Sequence, residues 1–252
     1  MRFRGTDALV GANSRPSFEG FRRSERLRSD TGGRRLRFRL CEDEVMAEPR
    51  PPAILIAGAS GLDFLNSIAQ PTNTVIDWID SGEGLLNWLG EVGLVPAEAC
   101  EAVRKQALPR ELDKVADQAR ELREWFRGVV KQHKGRPLGV EAFAELAQLN
   151  HLLERGESYV QIAPHDHEGH GRFGVQRMRR WRSPESLLLP IGEALANLVC
   201  VEDFTDIKSC EGLSCTLMFV DRTRGRRRWC SMAICGNRTK QAAHRSRAKR
   251  QH

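Results

Sequence analysis

Residues 110–133 read RELDKVADQARELREWFRGVVKQH, and this stretch decides the fold class. Leu112, Val115, Ala119, Leu122, Phe126 and Val129 recur every three or four positions and keep one apolar face. That period predicts a long amphipathic helix lying against a core. Working toward the N-terminus, residues 97–107 continue helical after Pro96. Before them, GEGLLNWLGEVGLVP (82–96) places Leu85, Trp88, Leu89 and Val92 at helical spacing, with Gly93 near the end of the helix. AILIAGASGLDFLNSI (53–68) combines a short apolar run, a glycine-rich turn and a helix or strand with Asp63, Phe64 and Asn66. Its glycines fit neither GxGxxG nor GxxxxGK[ST], so it carries no nucleotide-binding fingerprint. Asp63 and Asn66 suit a ligand pocket or a capping role equally well.

Toward the C-terminus, VEAFAELAQLNHLLERG (140–156) repeats the helical device with Phe143, Leu146, Leu149 or Asn150, and Leu153. SYVQIAP (158–164) and FGVQRMRRW (173–181) are β-like and predict a hairpin. The segment between them, HDHEGH, holds His165, His167 and His170. Histidines and carboxylates at this spacing suit a transition metal, but the flanking glycines favour an exposed hairpin tip. SPESLLLPIGEALANLV (183–199) opens with Ser183 as N-cap and Pro184 at the first helical position. Pro190 should kink or divide that helix. The body thus reads as mainly α: a helical body with a small β-hairpin.

Charge divides the chain of 252 residues. Residues 1–45 carry +4, residues 46–205 carry −6 and residues 206–252 carry +9. An acidic body with an intensely basic end suggests a polyanion-binding module. No window approaches the roughly 18 uninterrupted apolar residues of a membrane span. The N-terminus has arginines but no apolar segment of a secretory signal. Residues 1–53 are read as a disordered extension, or as a start assigned too far upstream of Met46. No nucleophile–base pair or catalytic carboxylate pair stands out, so the chain reads as a non-enzyme.

Four of the seven cysteines fall in CEGLSCTLMFVDRTRGRRRWCSMAIC, residues 210–235. Cys210-x4-Cys215 and Cys230-x4-Cys235 are two equally spaced pairs. Each pair can supply two corners of a zinc tetrahedron, if the segment between them folds back. Four thiolates leave no open position, so one structural Zn2+ is expected and no catalytic metal. Redox or buried thiols are the alternative. The connecting segment reads as a hairpin, with one strand from Thr216 to Val220, a turn at Asp221–Gly225 and a second strand ending at Trp229. Its own core would be only Leu217, Phe219, Trp229 and Ile234, so the metal should supply much of its folding free energy. Cys41, Cys100 and Cys200 lack partners, the last two reading as buried. His133 and His151 sit on helices and read as ordinary.

Gly236 is expected to turn the chain past the metal, and Asn237 to cap a helix through RTKQAAHRSRAKR (238–250). On that helix Arg238, Arg245 and Lys249 share one stripe, and Lys240 and Arg247 another. Arg222, Arg224, Arg226, Arg227 and Arg228 add cations from the hairpin. Such a surface would grip phosphates with steep salt dependence. Base reading would require side chains such as Asn237, Arg238 or Gln241 to reach a base edge.

RRRWCSMAICGNRTKQAAHRSR resembles the signature of the CGNR zinc-finger family, here Cys235, Gly236, Asn237 and Arg238. CEGLSCTLMFVDRTRGRRRW resembles that family's first cysteine pair. LDFLNSI, GLLNWLGEVGLV and LNHLLERG make the body similar to the ABATE domain that usually precedes this finger. The resemblance covers about residues 54–250 and implies an ABATE-like domain over 54–204 and a finger over 205–252. It implies a bacterial, stress-related transcription regulator: cytoplasmic and nucleoid-associated, bound to duplex DNA. The body would act as sensor of a small-molecule effector or as a homodimerisation domain. The alternative is a zinc-stabilised RNA- or protein-interaction module without sequence-specific DNA binding.

Overall fold

A computed structural model describes residues 50–70, 74–167 and 170–248. The expectations for residues 1–49, including Cys41, and for Lys249 lie outside the described residues. The predicted long helix is α4 of the chain, Glu111–His133. Val115, Ala119, Leu122, Phe126 and Val129 are buried along it, as the period requires. Three shorter helices precede α4: α1 (Ser60–Leu65), α2 (Gly82–Glu91) and α3 (Ala97–Gln106). Ser81 caps α2 by accepting from Gly84 N–H at 3.1 Å. After α4 come α5 (Ala147–Leu153), α6 (Leu188–Val201) and, at the C-terminal end, α7 (Asn237–Ala248).

The core forms where α1, α2, α4 and α6 meet, around Leu62, Phe64, Leu85, Phe126, Ile191 and Leu195. Burying each of these side chains stabilises the fold by about 1.5–3 kcal/mol. One buried cation sits among them. Arg123 of α4 is 2% exposed and donates to both Asp77 carboxylate oxygens at 2.8 Å, and to Ser67 Oγ at 3.0 Å. A bidentate pair of this kind satisfies a charge that the core would otherwise reject. Among the described residues, Pro184–Val201 is the one helical segment long and apolar enough to cross a membrane, with mean hydropathy 1.3. Leu187, Leu188, Leu189, Ile191, Leu195 and Leu198 within it are all buried in this core.

Two expectations for the helices change. Residues Val140–Leu146 form a 3₁₀ helix rather than the first half of an α-helix. The tighter turn shifts the side-chain period, and Phe143 is 70% exposed instead of facing the core. Pro190 lies inside the first turn of α6, where its missing N–H costs little, and the break falls before it as a 3₁₀ turn over Pro184–Leu187.

The strands form three separate antiparallel pairs. β1 (Ile68–Ala69) pairs with β2 (Ile76–Asp77). The predicted hairpin is β3 (Ser158–His167) and β4 (His170–Arg179), with ten register pairs from Ser158↔Arg179 to His167↔His170. The side chains of His165, His167 and His170 lie outside the description. The third pair, β5 (Ile207–Ser209) with β6 (Met218–Val220), differs from the sequence reading. β6 is part of the expected Thr216–Val220 strand, but its ladder partner precedes Cys210 rather than ending at Trp229. Residues 226–229 are irregular. The other edge of β6 is taken by the body, with Val220 N–H donating to Ala57 O at 2.8 Å.

The described residues all fall within one compact unit. Leu217, Met218, Phe219 and Val220 are at most 2% exposed and belong to the same apolar core as α1 and α4.

Candidate metal centre and nucleic-acid interface

Cys210 follows β5 directly, and its N–H donates to Leu217 O at 2.9 Å, extending the β5–β6 ladder by one bond. The chain then doubles back. Cys215 N–H donates to Gly212 O at 3.0 Å, and Gly212 N–H points at Cys210 Sγ at 3.4 Å. A side chain at Gly212 could not be accommodated, because a Cβ there would meet Cys235 Sγ at 2.9 Å. The second pair is built differently. Ser231 caps a π-helical turn over Met232–Gly236, accepting from Ile234 N–H at 2.9 Å. Cys230 precedes the cap and Cys235 lies inside the turn. Cys230 N–H donates to Cys210 Sγ at 3.2 Å, joining the two halves.

The four sulfurs lie within 4.8 Å of one another, and Cys215 Sγ is 3.9 Å from Cys230 Sγ. A tetrahedron with Zn–S near 2.3 Å has sulfur–sulfur edges of about 3.8 Å. None of the four is in a disulfide. Cys210, Cys230 and Cys235 are buried and Cys215 is half-buried. The donor set fits one closed, structural zinc, as the spacing predicts.

The electrostatics point the same way. Hydrogen bonding from Cys230 lowers the Cys215 thiol to about 5. The same contact, with burial, pushes Cys230 well up, and burial raises Cys235 to about 12. Sulfurs this close cannot all ionise unaided, because each charge opposes the next. A dication removes that opposition and displaces the protons, so acid competes with metal.

The basic residues separate into two groups. Arg222, Arg227 and Arg228 are engaged within the protein. Arg227 donates to Ile56 O at 2.9 Å and to Trp229 O at 3.2 Å, also reaches Cys230 O, and its guanidinium stacks 4.0 Å over Phe219. Arg222 donates to Glu202 Oε1 at 2.7 Å and Gly58 O at 3.1 Å. Arg228 pairs with Glu211 at 2.6 Å, each partner holding the other charged. Arg224 and Arg226 are exposed at the turn, Arg224 with φ of 55° and Arg226 donating to Thr223 O at 3.1 Å.

On α7, Arg238, Lys240 and Arg245 are exposed. Arg247 falls within the helix, with its side chain outside the description. Arg238, Ala242 and Arg245 share one side, lining a cleft of about 350 Å³ against residues 211–215. Asn237 does not cap this helix. The π-turn runs straight into α7, so the cap is Ser231, six residues earlier. Gly236 is not in a left-handed turn; a Cβ there would sit 2.5 Å from Met232 Sδ, the end of a flexible, exposed side chain. Thr239 Oγ1 donates to Cys235 O at 2.9 Å, tying the first turn of α7 to a sulfur ligand.

Asp63 and Asn66 both serve the fold. Asp63 Oδ1 accepts from Ile56 and Ala57 N–H at 3.1 and 3.0 Å, and burial raises its pKa. Asn66 copies a strand partner: Nδ2 donates to Met218 O at 2.8 Å, and Met218 N–H donates to Oδ1 at 3.0 Å. Cys100 is buried as expected, whereas Cys200 is exposed at the end of α6. His133 is buried with its Nε2 3.1 Å from Glu145 Oε2. His151 is exposed on α5, 3.5 Å from Glu154.

The sequence gives little sign of Asn66 and Arg227, because their partners lie 152 and 171 residues away. The sole cue was Asn66 within LDFLN, a polar residue breaking an apolar run.

Residues 58–202 match the ABATE family, described as "Putative stress-induced transcription regulator". Residues 207–248 match the CGNR zinc finger. No curated protein matches the chain.

Proposed function

We propose a function from one premise: the chain belongs to the ABATE family and ends in a CGNR zinc finger. On this reading the protein is a zinc-dependent transcription regulator whose finger binds duplex DNA. One observation carries it. The cationic helix α7 is continuous with the π-turn that holds Cys235, so the zinc fixes where Arg238, Lys240 and Arg245 stand. Of the cations read from the sequence, Arg224, Arg226, Arg238, Lys240, Arg245, Arg247 and Lys249 make the phosphate-binding set. Arg222, Arg227 and Arg228 act by holding the finger together and against the body. Asn237 stays a candidate for base contact, since it is exposed and not used as a cap.

The body serves as sensor or oligomerisation domain, and the fold supports that division of labour. Because β6 is part of the body's core, a ligand that moves α1 also moves the finger through Asn66. The non-enzymatic reading rests on the sequence, where no catalytic pair stands out. Thiolate ligands need a reducing compartment, which favours the cytoplasm.

The test is fluorescence anisotropy on a labelled duplex, with the full chain loaded with zinc. Affinity should fall about 10-fold or more between about 50 and 200 mM salt, as phosphate-bound counterions are released. Replacing Lys240 and Arg245 with alanine should weaken binding across all sequences. Full zinc occupancy without DNA binding at low salt would end this reading. Stronger competition by single-stranded RNA than by duplex would favour the RNA-interaction alternative.

A further inference from the structure

The four sulfurs of the metal centre fit one ion but do not share one environment. Cys210, Cys230 and Cys235 are 7%, 0% and 2% exposed, whereas Cys215 is half-buried. Cys215 also borders two clefts. One, of about 460 Å³, is shared with Arg127 and Lys131 of α4, and the other is the cleft of about 350 Å³ beside α7. Cys235 borders the second cleft as well, but it is buried. Zinc holds every ligand sulfur as a thiolate, so protonation does not tell the four apart. Access does, because the susceptibility of a thiolate to oxidation follows its exposure. A partner thiol stands behind it: Cys230 Sγ is 3.9 Å from Cys215 Sγ and is closed to solvent. Cys210 is the weaker partner. Its sulfur accepts N–H groups from Gly212 at 3.4 Å and Cys230 at 3.2 Å. Bonds of that kind stabilise a thiolate and lower its tendency to attack.

We propose that Cys215 is an oxidation site through which a hydroperoxide opens the metal centre, with Cys230 as the partner thiol. The Cys215 thiolate attacks one peroxide oxygen. The S–O bond forms, the O–O bond breaks, and the leaving hydroxide takes a proton from solvent and departs as water. The sulfur is thereby oxidised by two electrons to a sulfenic acid, and the peroxide is reduced. The Cys230 thiolate then attacks the sulfenic sulfur. The S–S bond forms, the S–O bond breaks, and the second hydroxide leaves as water with another solvent proton. In sum, two thiolates, one peroxide and two protons give one disulfide and two waters. The two sulfurs close from 3.9 Å to about 2.05 Å, and two of the four ligands are lost to the metal. The consequence is local. Cys235 lies in the turn that is continuous with α7, so losing the ion frees α7, while Leu217–Val220 stay in the body's core. This inference rests on the metal centre and not on DNA binding, so either can fail without the other.

Hydrogen peroxide added to the zinc-loaded full chain tests it, with released zinc read by a colorimetric chelator and thiols mapped by mass spectrometry. Zinc should leave in full, and a Cys215–Cys230 disulfide should form in step with its release. Dimedone, which captures sulfenic acids, should label Cys215 and leave Cys210, Cys230 and Cys235 unlabelled. Cys200 is exposed and outside the cluster, so Cys200→Ser should release zinc at the wild-type rate. Dithiothreitol with added zinc should restore the full metal content. Zinc retained when Cys200 is already fully oxidised overturns the proposal. So does dimedone label that falls first on another ligand, or a disulfide that leaves out Cys215 or Cys230.

Discussion

The longest strand pair in this protein and one of the shortest have opposite settings. β3–β4 runs for ten register pairs, yet its apolar face meets solvent. β5–β6 has three pairs, yet Met218, Phe219 and Val220 are at most 2% exposed. Backbone ladders exchange bonds with water for bonds within the chain, so each bond adds only about 1 kcal/mol net. What covers the face contributes more. The short pair is covered by α1 on one side and leads into the metal centre, while the long pair is covered by nothing described within its own chain. Removing cover should therefore matter at β5–β6 and hardly at all at β3–β4.

The largest expected effect is loss of the metal. Structural zinc in finger peptides contributes about 10–16 kcal/mol of apparent binding free energy at neutral pH. Cys230→Ser should abolish zinc binding and, with it, nucleic-acid binding. The fold should not follow completely. The sequence reading made the finger dependent on zinc for want of a core, but Leu217–Val220 share the body's core. Hydrogen exchange should lose protection over residues 229–248 and keep it at 218–220. Equal loss at both would show that β5–β6 depends on metal as much as α7 does.

Phe219→Ala comes next. Phe219 is fully buried, with the Arg227 guanidinium stacked on its ring, so truncation opens a cavity and removes the stacking partner. A cost of about 3–5 kcal/mol is expected in urea unfolding. Asn66→Ala should cost about 1–3 kcal/mol, because it leaves Met218 N–H and C=O buried without partners. Asn66→Asp sharpens the point. It keeps the acceptor and loses the donor, so a near-neutral result would refute the strand-mimic role.

These residues also mark the boundary of what the sequence disclosed. The α4 stripe was legible because helical period is local, and the cysteine quartet because metal geometry constrains spacing. The site's setting was not. Pairing β6 with residues before Cys210 requires knowing that Ala57 occupies its other edge, a contact that no local pattern encodes. Five arginines in seven positions look alike as charge. Only the fold separates Arg227, stacked and bonded to carbonyls, from the exposed Arg224. Asn237 failed as a cap because the helix starts earlier, inside a π-turn that sequence period does not reveal. Phe143 failed because a 3₁₀ turn changes which residues align.

A smaller effect tests the turn after β6 through pH. Asp221 is buried and accepts from Lys208 Nζ at 2.6 Å, Thr223 Oγ1 at 2.6 Å and N–H at 2.8 Å, and Gly225 N–H at 2.9 Å. Lys208 first, then Thr223, hold its pKa well below the ordinary 3.8. A depressed carboxylate contributes stability in full above its unfolded value and loses it as pH falls toward the folded one. The stability gap between wild type and Asp221→Asn should stay constant from about pH 7 to 5 and shrink below about pH 4. Thiol protonation also releases zinc in acid, but it acts on both proteins and cancels in the difference. A gap that widens on acidification would contradict the assignment.

The smallest expected effect is the most discriminating. Phe173→Ala removes the same atoms as Phe219→Ala, from a side chain 82% exposed instead of fully buried. Its unfolding free energy should change by no more than about 0.5 kcal/mol. If Phe173→Ala costs several kcal/mol, the hairpin face is covered. Cover would then no longer distinguish the long strand pair from the short one.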